Sequence, residues 1–362
     1  MPRSARFARS ALPLLAPSSR LLSIVLVAAA VVSCSGDSPT GVPGDADLGR
    51  RRVREAPLLP PPPPPIVNPE VPNLLAGTSL WVNPFSSARQ TADTWRLTRP
   101  ADAAQMDKVA AGSQARWIGN WNANVQADVD AATTTITNAG AMPVFVAYNI
   151  PQRDCGGLSG GNSITPDAYR FWITAFANGI GTRRATVILE PDALAAMDCL
   201  SATDQQTRLN LLSYAVQVLH AKGGIAVYLD AGHPAWKSPS TMASRLTNAG
   251  VALAQGFSLN VSNFRATGDN LTYGQQIAAL TGKHFVIDTG RNGVGPTSDS
   301  QWCNPAGRAL GDRPTTQTGI VNVDAFLWIK TPGESDGACS GAPSAGAWMP
   351  EYALGLAQRA AY

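Results

Sequence analysis

The sequence predicts an α/β fold: a distorted parallel β/α barrel of seven to eight strands with an open active-site cleft. Three observations lead there. Short apolar runs rich in β-branched or aromatic residues recur from about Asn73 onward, and most are near-continuous rather than alternating, as strands buried on both faces require. Amphipathic helical stretches separate several of them, and strand–helix alternation implies a parallel sheet. Seven or eight such units over roughly 290 residues suit a β/α barrel, typically about 250 residues long. An open doubly wound sheet is the competing architecture.

In order, the runs are Leu80-Trp81-Val82, Arg116-Trp117-Ile118, Val144 to Tyr148, Thr186 to Leu189, Ile225 to Leu229, Gly256 to Val261, His284 to Ile287 and Ala325 to Ile329. Between them, Thr165 can cap a helix with Pro166 in its first position, and Tyr169, Trp172, Ile173, Phe176 and Ala177 then share one face. Ser201 with Asp204 has the spacing of a capping box, Leu209, Leu212, Val216 and Leu219 form the stripe, and Gly223 is a stop.

The first residues belong to export rather than fold. Arg3, Arg6, Arg9 and Arg20 precede the apolar run Leu21 to Val32, which is shorter than the roughly 20 residues of a spanning helix. Residues 1–33 read as a signal peptide. Removing its four arginines takes the formal charge from +3 to −1, so the basicity belongs to the signal and no basic stripe suggests nucleic acid. Val31-Val32-Ser33-Cys34 resembles a bacterial lipobox, which makes Cys34 a lipidation site; cleavage nearby, leaving a free or removed thiol, is the alternative. Residues 34–72 then form a tether, with the run Pro60 to Pro65 favouring an extended rod, and residues 73–362 form the barrel domain. The remaining cysteines, Cys155, Cys199, Cys303 and Cys339, would make two disulfides in an oxidising compartment. A zinc site is disfavoured, because there is no C-x-x-C pair and the three histidines are scattered.

Chemistry in a β/α barrel sits at the C-terminal strand ends. The residues just past the apolar runs are Asn83, Asn120, Asn149 with Asp154, Glu190 with Asp192, Asp230, Asn260 with Asn263, Asp288, and Lys330 with Glu334 and Asp336. Trp81, Trp117, Trp236, Trp302 and Trp328 lie near the same ends. An aspartate after a strand is often only a turn former; clustering over five strands argues for more. Carboxylates, amides and flat aromatic faces together suit a sugar site. Asp192, emerging from a buried strand beside another carboxylate, is expected to hold its proton and to serve as a general acid. Asp154 follows Arg153, whose charge would keep it ionised if the two side chains meet. A Cys155–Cys199 bridge would tie the two acid-bearing loops together.

Five blocks complete the pattern: VAYNIPQRDCGG (Val146 to Gly157), ILEPDALA (Ile188 to Ala195), YLDAGHPAW (Tyr228 to Trp236), QWCNPAGRALG (Gln301 to Gly311) and WIKTPGESDG (Trp328 to Gly337). In this order they resemble glycoside hydrolase family 6, the cellulases that cut β-1,4-glucan with inversion, from about Trp81 to the C-terminus. The resemblance implies a distorted barrel with a substrate tunnel or cleft, Asp192 as proton donor, and Asp154 as its support in moving a proton from the attacking water. Asp336 matches a further acidic position, sometimes assigned as the base. Tyr148 would press on the sugar at the cleavage point. Asp230, His233, Trp236, Asn260, Lys330 and Glu334 match sugar-contacting positions, Asn263 joins them at its strand end, and Trp117 and Trp302 would supply stacking faces. Inversion requires carboxyls about 6.5–9.5 Å apart, leaving room for a water.

The sequence departs from the family at Asn162, where glycine is usual, at Ser159, to which the water-holding serine is shifted, and at Pro234. Family members acting from chain ends close a tunnel with a long loop before the last cysteine; here Asp336 and Cys339 are nearly adjacent, which favours an open cleft and internal cutting. The expected function is therefore an inverting endo-β-1,4-glucanase, a monomer acting on β-1,4-glucan polysaccharide without cofactor or metal. It would meet the membrane only through its lipid anchor, as a cell-surface or outer-membrane lipoprotein, or else be secreted. A cellobiohydrolase of the same family and a non-catalytic glycan-binding surface lipoprotein are the alternatives.

Overall fold

The structure, a computed structural model, describes residues 72–160 and 164–362. The expected signal peptide, Cys34, the tether up to Val71, and Asn162 lie outside the described residues.

Seven strands form one parallel sheet in sequence order: β1 (Arg116–Gly119), β2 (Val144–Tyr148), β3 (Ala185–Leu189), β4 (Ile225–Asp230), β5 (Gly256–Leu259), β6 (His284–Asp288) and β7 (Val323–Leu327). The sheet curls until its edges meet at a single parallel bridge, Gln114 with Trp328, where the Ala115 amide donates to the Trp328 carbonyl at 3.0 Å. The barrel is thus closed by one bridge rather than a full ladder. The run Leu80 to Val82 does not become an eighth strand. Leu80 makes only an isolated bridge to Met142, and then Asn83 accepts the Phe85 amide through Oδ1 at 2.9 Å and turns the chain away.

Strand residues alternate between two cores, as a period of two demands. Val146, Tyr148, Ile188, Ala226, Tyr228, Val286 and Ala325 point into the barrel. Phe145, Ala147, Val187, Leu189, Val227, Leu229, Phe257 and Phe285 face the surrounding helices. With every residue of β2 through β5 buried, the runs read as continuously apolar. The covering helices are α3 (Val125–Asn138), α4 (Pro166–Ile180), α5 (Ala202–His220), α6 (Pro239–Asn248) and α7 (Thr267–Thr281). Their caps form as expected: Thr165 accepts the Ala168 amide at 3.2 Å, and Ser201 accepts the Asp204 amide at 3.2 Å while donating to its carboxylate at 2.7 Å. No α-helix lies between β6 and β7. Instead α1 (Ser87–Trp95), α2 (Pro100–Ala110) and α8 (Pro350–Gln358) pack a third core around fully buried Trp328.

The floor of the barrel is plugged by the residues that lead into it. Leu75 is fully buried in the inner core, and the Gln255 amide donates to the Pro72 carbonyl at 2.7 Å. Beneath them, buried Asp324 accepts from the Tyr228 hydroxyl at 2.6 Å and pairs with His284 Nδ1 at 2.8 Å. These contacts all lie on the side opposite the C-terminal strand ends. Among the described residues, no helix is long and apolar enough to cross a membrane.

Candidate active site

A cleft of about 710 Å³ opens at the C-terminal strand ends. It gathers Trp117, Tyr148, Asp154, Asp192, His233, Trp236, Asn263, Trp302, Lys330, Glu334 and Asp336, drawn from all seven strands or the loops beyond them.

Asp192 reaches it through a turn that few residues tolerate. Glu190 and Asp192 both sit in the left-handed region, at φ 50° and 69°, on either side of Pro191. The Asp192 amide donates to Asp230 Oδ2 at 2.9 Å, which fixes the turn. Burial, then the charges of Asp230 and Asp154, push the half-buried Asp192 carboxyl well above the ordinary range, so it keeps its proton. Asp230 is the buried partner behind it. It also accepts the Gly232 amide at 3.1 Å and the Ser258 hydroxyl at 3.3 Å, and burial lifts it to about 6 despite those donors.

Asp154 lies in a tight turn, Arg153–Gly156, with Gln152, Asp154 and Cys155 all left-handed at φ 54°, 52° and 49°. Its Oδ2 accepts the Ser159 amide at 2.9 Å. The expected Arg153–Asp154 pairing does not form. The buried guanidinium turns back to the Tyr148 carbonyl, the Ser159 carbonyl at 2.8 Å and Asn120 Oδ1 at 3.3 Å, and stacks 4.2 Å over the Tyr148 ring. The left-handed turn carries neighbouring side chains to different sides. Tyr148 ends β2 facing inward, edge-on to Trp117 at 5.2 Å, with its hydroxyl raised well above normal by burial and by Asp192. The Cys155–Cys199 disulfide joins the loops carrying Asp154 and Asp192.

Asp336 is ionically paired. Buried Arg291 donates to its Oδ2 at 2.8 Å and the Asn304 amide does so at 2.9 Å, while the Cys303–Cys339 disulfide pins the surrounding loops. Lys330 donates to the Ser335 carbonyl at 2.9 Å; burial pushes its amine down and the Glu334 carboxyl up. His233, lowered to about 4 by burial and then by Arg265, is a neutral imidazole 5.3 Å from the Trp236 ring. Leu158 of the Asp154 loop rests against Gly337, where an added Cβ would come within 2.8 Å of it.

Two expected sugar contacts are corrected. Asp230 and Asn260 do not line the cleft but lie buried behind its wall. Asn260, left-handed at φ 65°, donates to the Asp288 carbonyl at 2.8 Å and accepts the Arg265 amide at 3.0 Å, so both ends of its amide are spent on backbone. Trp81 and Trp328 also lie away from the cleft, Trp328 within the core. Conversely, Trp121 presents a ring in the cleft that is 55% exposed. Gly119 makes room for that ring, since a Cβ there would fall 2.4 Å from it. Its position four residues beyond Trp117, past the end of β1, was the available signal. Arg265 and Arg291 were likewise not anticipated as parts of the wall or its support, and Arg153, expected to act on Asp154, lines the wall instead. Among the described residues, no group of three or more His, Cys, Asp or Glu side chains is arranged to hold a metal ion.

The sequence model of the glycosyl hydrolases family 6 matches residues 75–360. The chain belongs to this family. It is 47% identical over 270 residues to endoglucanase A of Cellulomonas fimi, covering 74% of this chain and 58% of that protein. It is 42% identical over 291 residues to endoglucanase A of Thermobispora bispora, covering 78% of this chain and 62% of that one. The family 6 chain thus spans about three fifths of the length of these two relatives. Among solved structures, it resembles the endoglucanase Cel6 from Mycobacterium tuberculosis, solved in complex with methyl-cellobiosyl-4-deoxy-4-thio-β-D-cellobioside. The TM-score is 0.76 at 47% identity, over 79% of this chain and 99% of that chain.

Proposed function

We propose that this family 6 hydrolase is an inverting endo-β-1,4-glucanase with Asp192 as general acid. One observation carries the reading: a carboxyl kept protonated by burial and by two neighbouring acids opens onto the same cleft as Asp154, Tyr148 and exposed indole faces. Asp192 would protonate the glycosidic oxygen as the bond breaks. Asp154, beside it in the cleft, would take up the water's proton directly or through a second water. The Ser159 amide would keep that carboxylate aimed. Asp336, paired with Arg291 and accepting the Asn304 amide, suits electrostatic support of the positive charge that develops on the sugar ring better than proton exchange. Trp117, Trp121, Trp236 and Trp302 would bind sugar faces, and Lys330, Glu334, His233 and Asn263 would bind hydroxyls.

Endo action is favoured by the short interval between Asp336 and Cys339 and by the two endoglucanase relatives. Export and a lipidated Cys34 belong to the same reading, on the strength of residues 1–34 and the two disulfides. The deciding assay follows the anomeric configuration of products from soluble β-1,4- and mixed-linkage glucans by NMR, for the wild type and Asp192→Asn. The α-anomer should form first. The variant should lose roughly 10²–10⁴-fold in rate, the range of a general acid, while still binding cello-oligosaccharides. Turnover by Asp192→Asn close to wild type, or a β-anomer product, would remove the assignment.

A further inference from the structure

Four residues, Asn149 to Gln152, lead from the end of β2 to the Arg153–Gly156 turn that carries Asp154, and they belong to no strand or helix. Their backbone is nevertheless gripped from two sides by buried charged side chains. Glu190, fully buried at the end of β3 and two residues before Asp192, accepts the Asn149 amide at 3.0 and 2.9 Å and the Ile150 amide at 3.0 Å. Arg208, on α5 and only 3% exposed, donates to the Pro151 carbonyl at 2.7 Å and the Gln152 carbonyl at 2.8 Å. The same guanidinium donates to the Ala193 carbonyl, next to Asp192, at 3.2 Å.

We infer that Arg208 and Glu190 are positioning residues that together set the relation between Asp192 and Asp154. The inference rests on the glucanase reading above and deepens it. One carboxylate takes the segment's N–H groups, and one guanidinium takes its carbonyls together with a carbonyl of the opposite acid loop. The segment needs such a grip because it runs into left-handed Gln152, Asp154 and Cys155, a conformation that L side chains resist. A planar fork spreads its fixed donors over two nitrogens and so reaches three carbonyls set apart from one another, whereas an ammonium offers all its donors from one point at the end of a flexible stem. Neither side chain lines the cleft, so both act through the acids they place.

The test uses the full chain with Arg208→Lys, Arg208→Met and Glu190→Gln, comparing kcat and KM on a soluble β-glucan and the pH profile of kcat/KM. Near-UV circular dichroism and cellotetraose binding serve as fold controls. Arg208→Lys is expected to fold, to bind cellotetraose within threefold of wild type and to lose at least tenfold in kcat. Arg208→Met should lose more, and the limbs of the pH profile should move in both Arg208 variants and in Glu190→Gln. A merely structural role would lower folded yield and leave the kcat of folded enzyme and its pH limbs alone. Folded Arg208→Lys with wild-type kcat and pH profile, or a loss confined to KM, overturns the inference while leaving the glucanase reading intact. A wild type that hydrolyses no β-glucan overturns the reading, and this inference with it.

Discussion

Replacing the two disulfides one at a time separates their effect on the unfolded chain from their effect on the site. Cys155 and Cys199 close a loop of 44 residues, Cys303 and Cys339 one of 36. Loop-closure entropy then assigns each bridge about 4 kcal/mol at 25 °C, with a difference between them of only about 0.2 kcal/mol. For a domain of about 290 residues the unfolding entropy is roughly 0.6 kcal/mol per degree, so each loss should lower Tm by about 7 °C. The assay is reversible urea unfolding of Cys155→Ser/Cys199→Ser and Cys303→Ser/Cys339→Ser, with m-values checked for constancy. Well below Tm, the first variant should keep kcat within about threefold, because Arg208 and Glu190 still hold the Asp154 loop. A stability loss under about 1 kcal/mol from one pair beside about 4 from the other would refute the shared entropic origin. A large fall in kcat at full folding would show that the bridge, not the buried charges, places the acids.

Three further outcomes follow. Asp230→Asn removes a negative charge that raises the Asp192 carboxyl, so Asp192 should release its proton at lower pH and the alkaline limb of kcat/KM should move down; an unmoved limb would refute the coupling. Glu190 is raised to about 7 from 4.5, so the native state binds more protons than the unfolded one across that window, and stability falls as pH rises through it. The loss is on the order of 3 kcal/mol, and Glu190→Gln should flatten the slope of urea stability between pH 5 and 8. Arg291→Met strands the buried Asp336 carboxylate and should cost about 3–5 kcal/mol in the same unfolding assay; a loss below about 1 kcal/mol would mean that water reaches that carboxylate.

The barrel was legible because its strands are buried on both faces, and burial of that kind writes unbroken apolar runs. The exception, Leu80 to Val82, fails because Asn83 closes a turn at once; three apolar residues cannot announce whether a neighbour will pair with them. The acids were legible as residues at strand ends, but not the direction each would take. That direction is set by left-handed backbone at Glu190, Asp192, Asn260 and Asp154, none of them glycine. It turns Asn260 inward as a support and sends Arg153 away from Asp154, whereas Asp230 faces inward by the strand alternation that also points Tyr228 into the barrel. Arg208 was hidden for a different reason. It lies within the helix predicted from Ser201 onward, and nothing in helical periodicity distinguishes a solvated arginine from one whose fork closes on three loop carbonyls.

The plug at the barrel floor also separates the two ends of the domain. Pro72 is held by Gln255 beneath the inner core, at the pole farthest from the cleft. The described chain thus enters at the end of the barrel that the cleft leaves unused, so substitutions around Pro72 and Gln255 would change how firmly the floor is sealed without touching anything bound at the mouth.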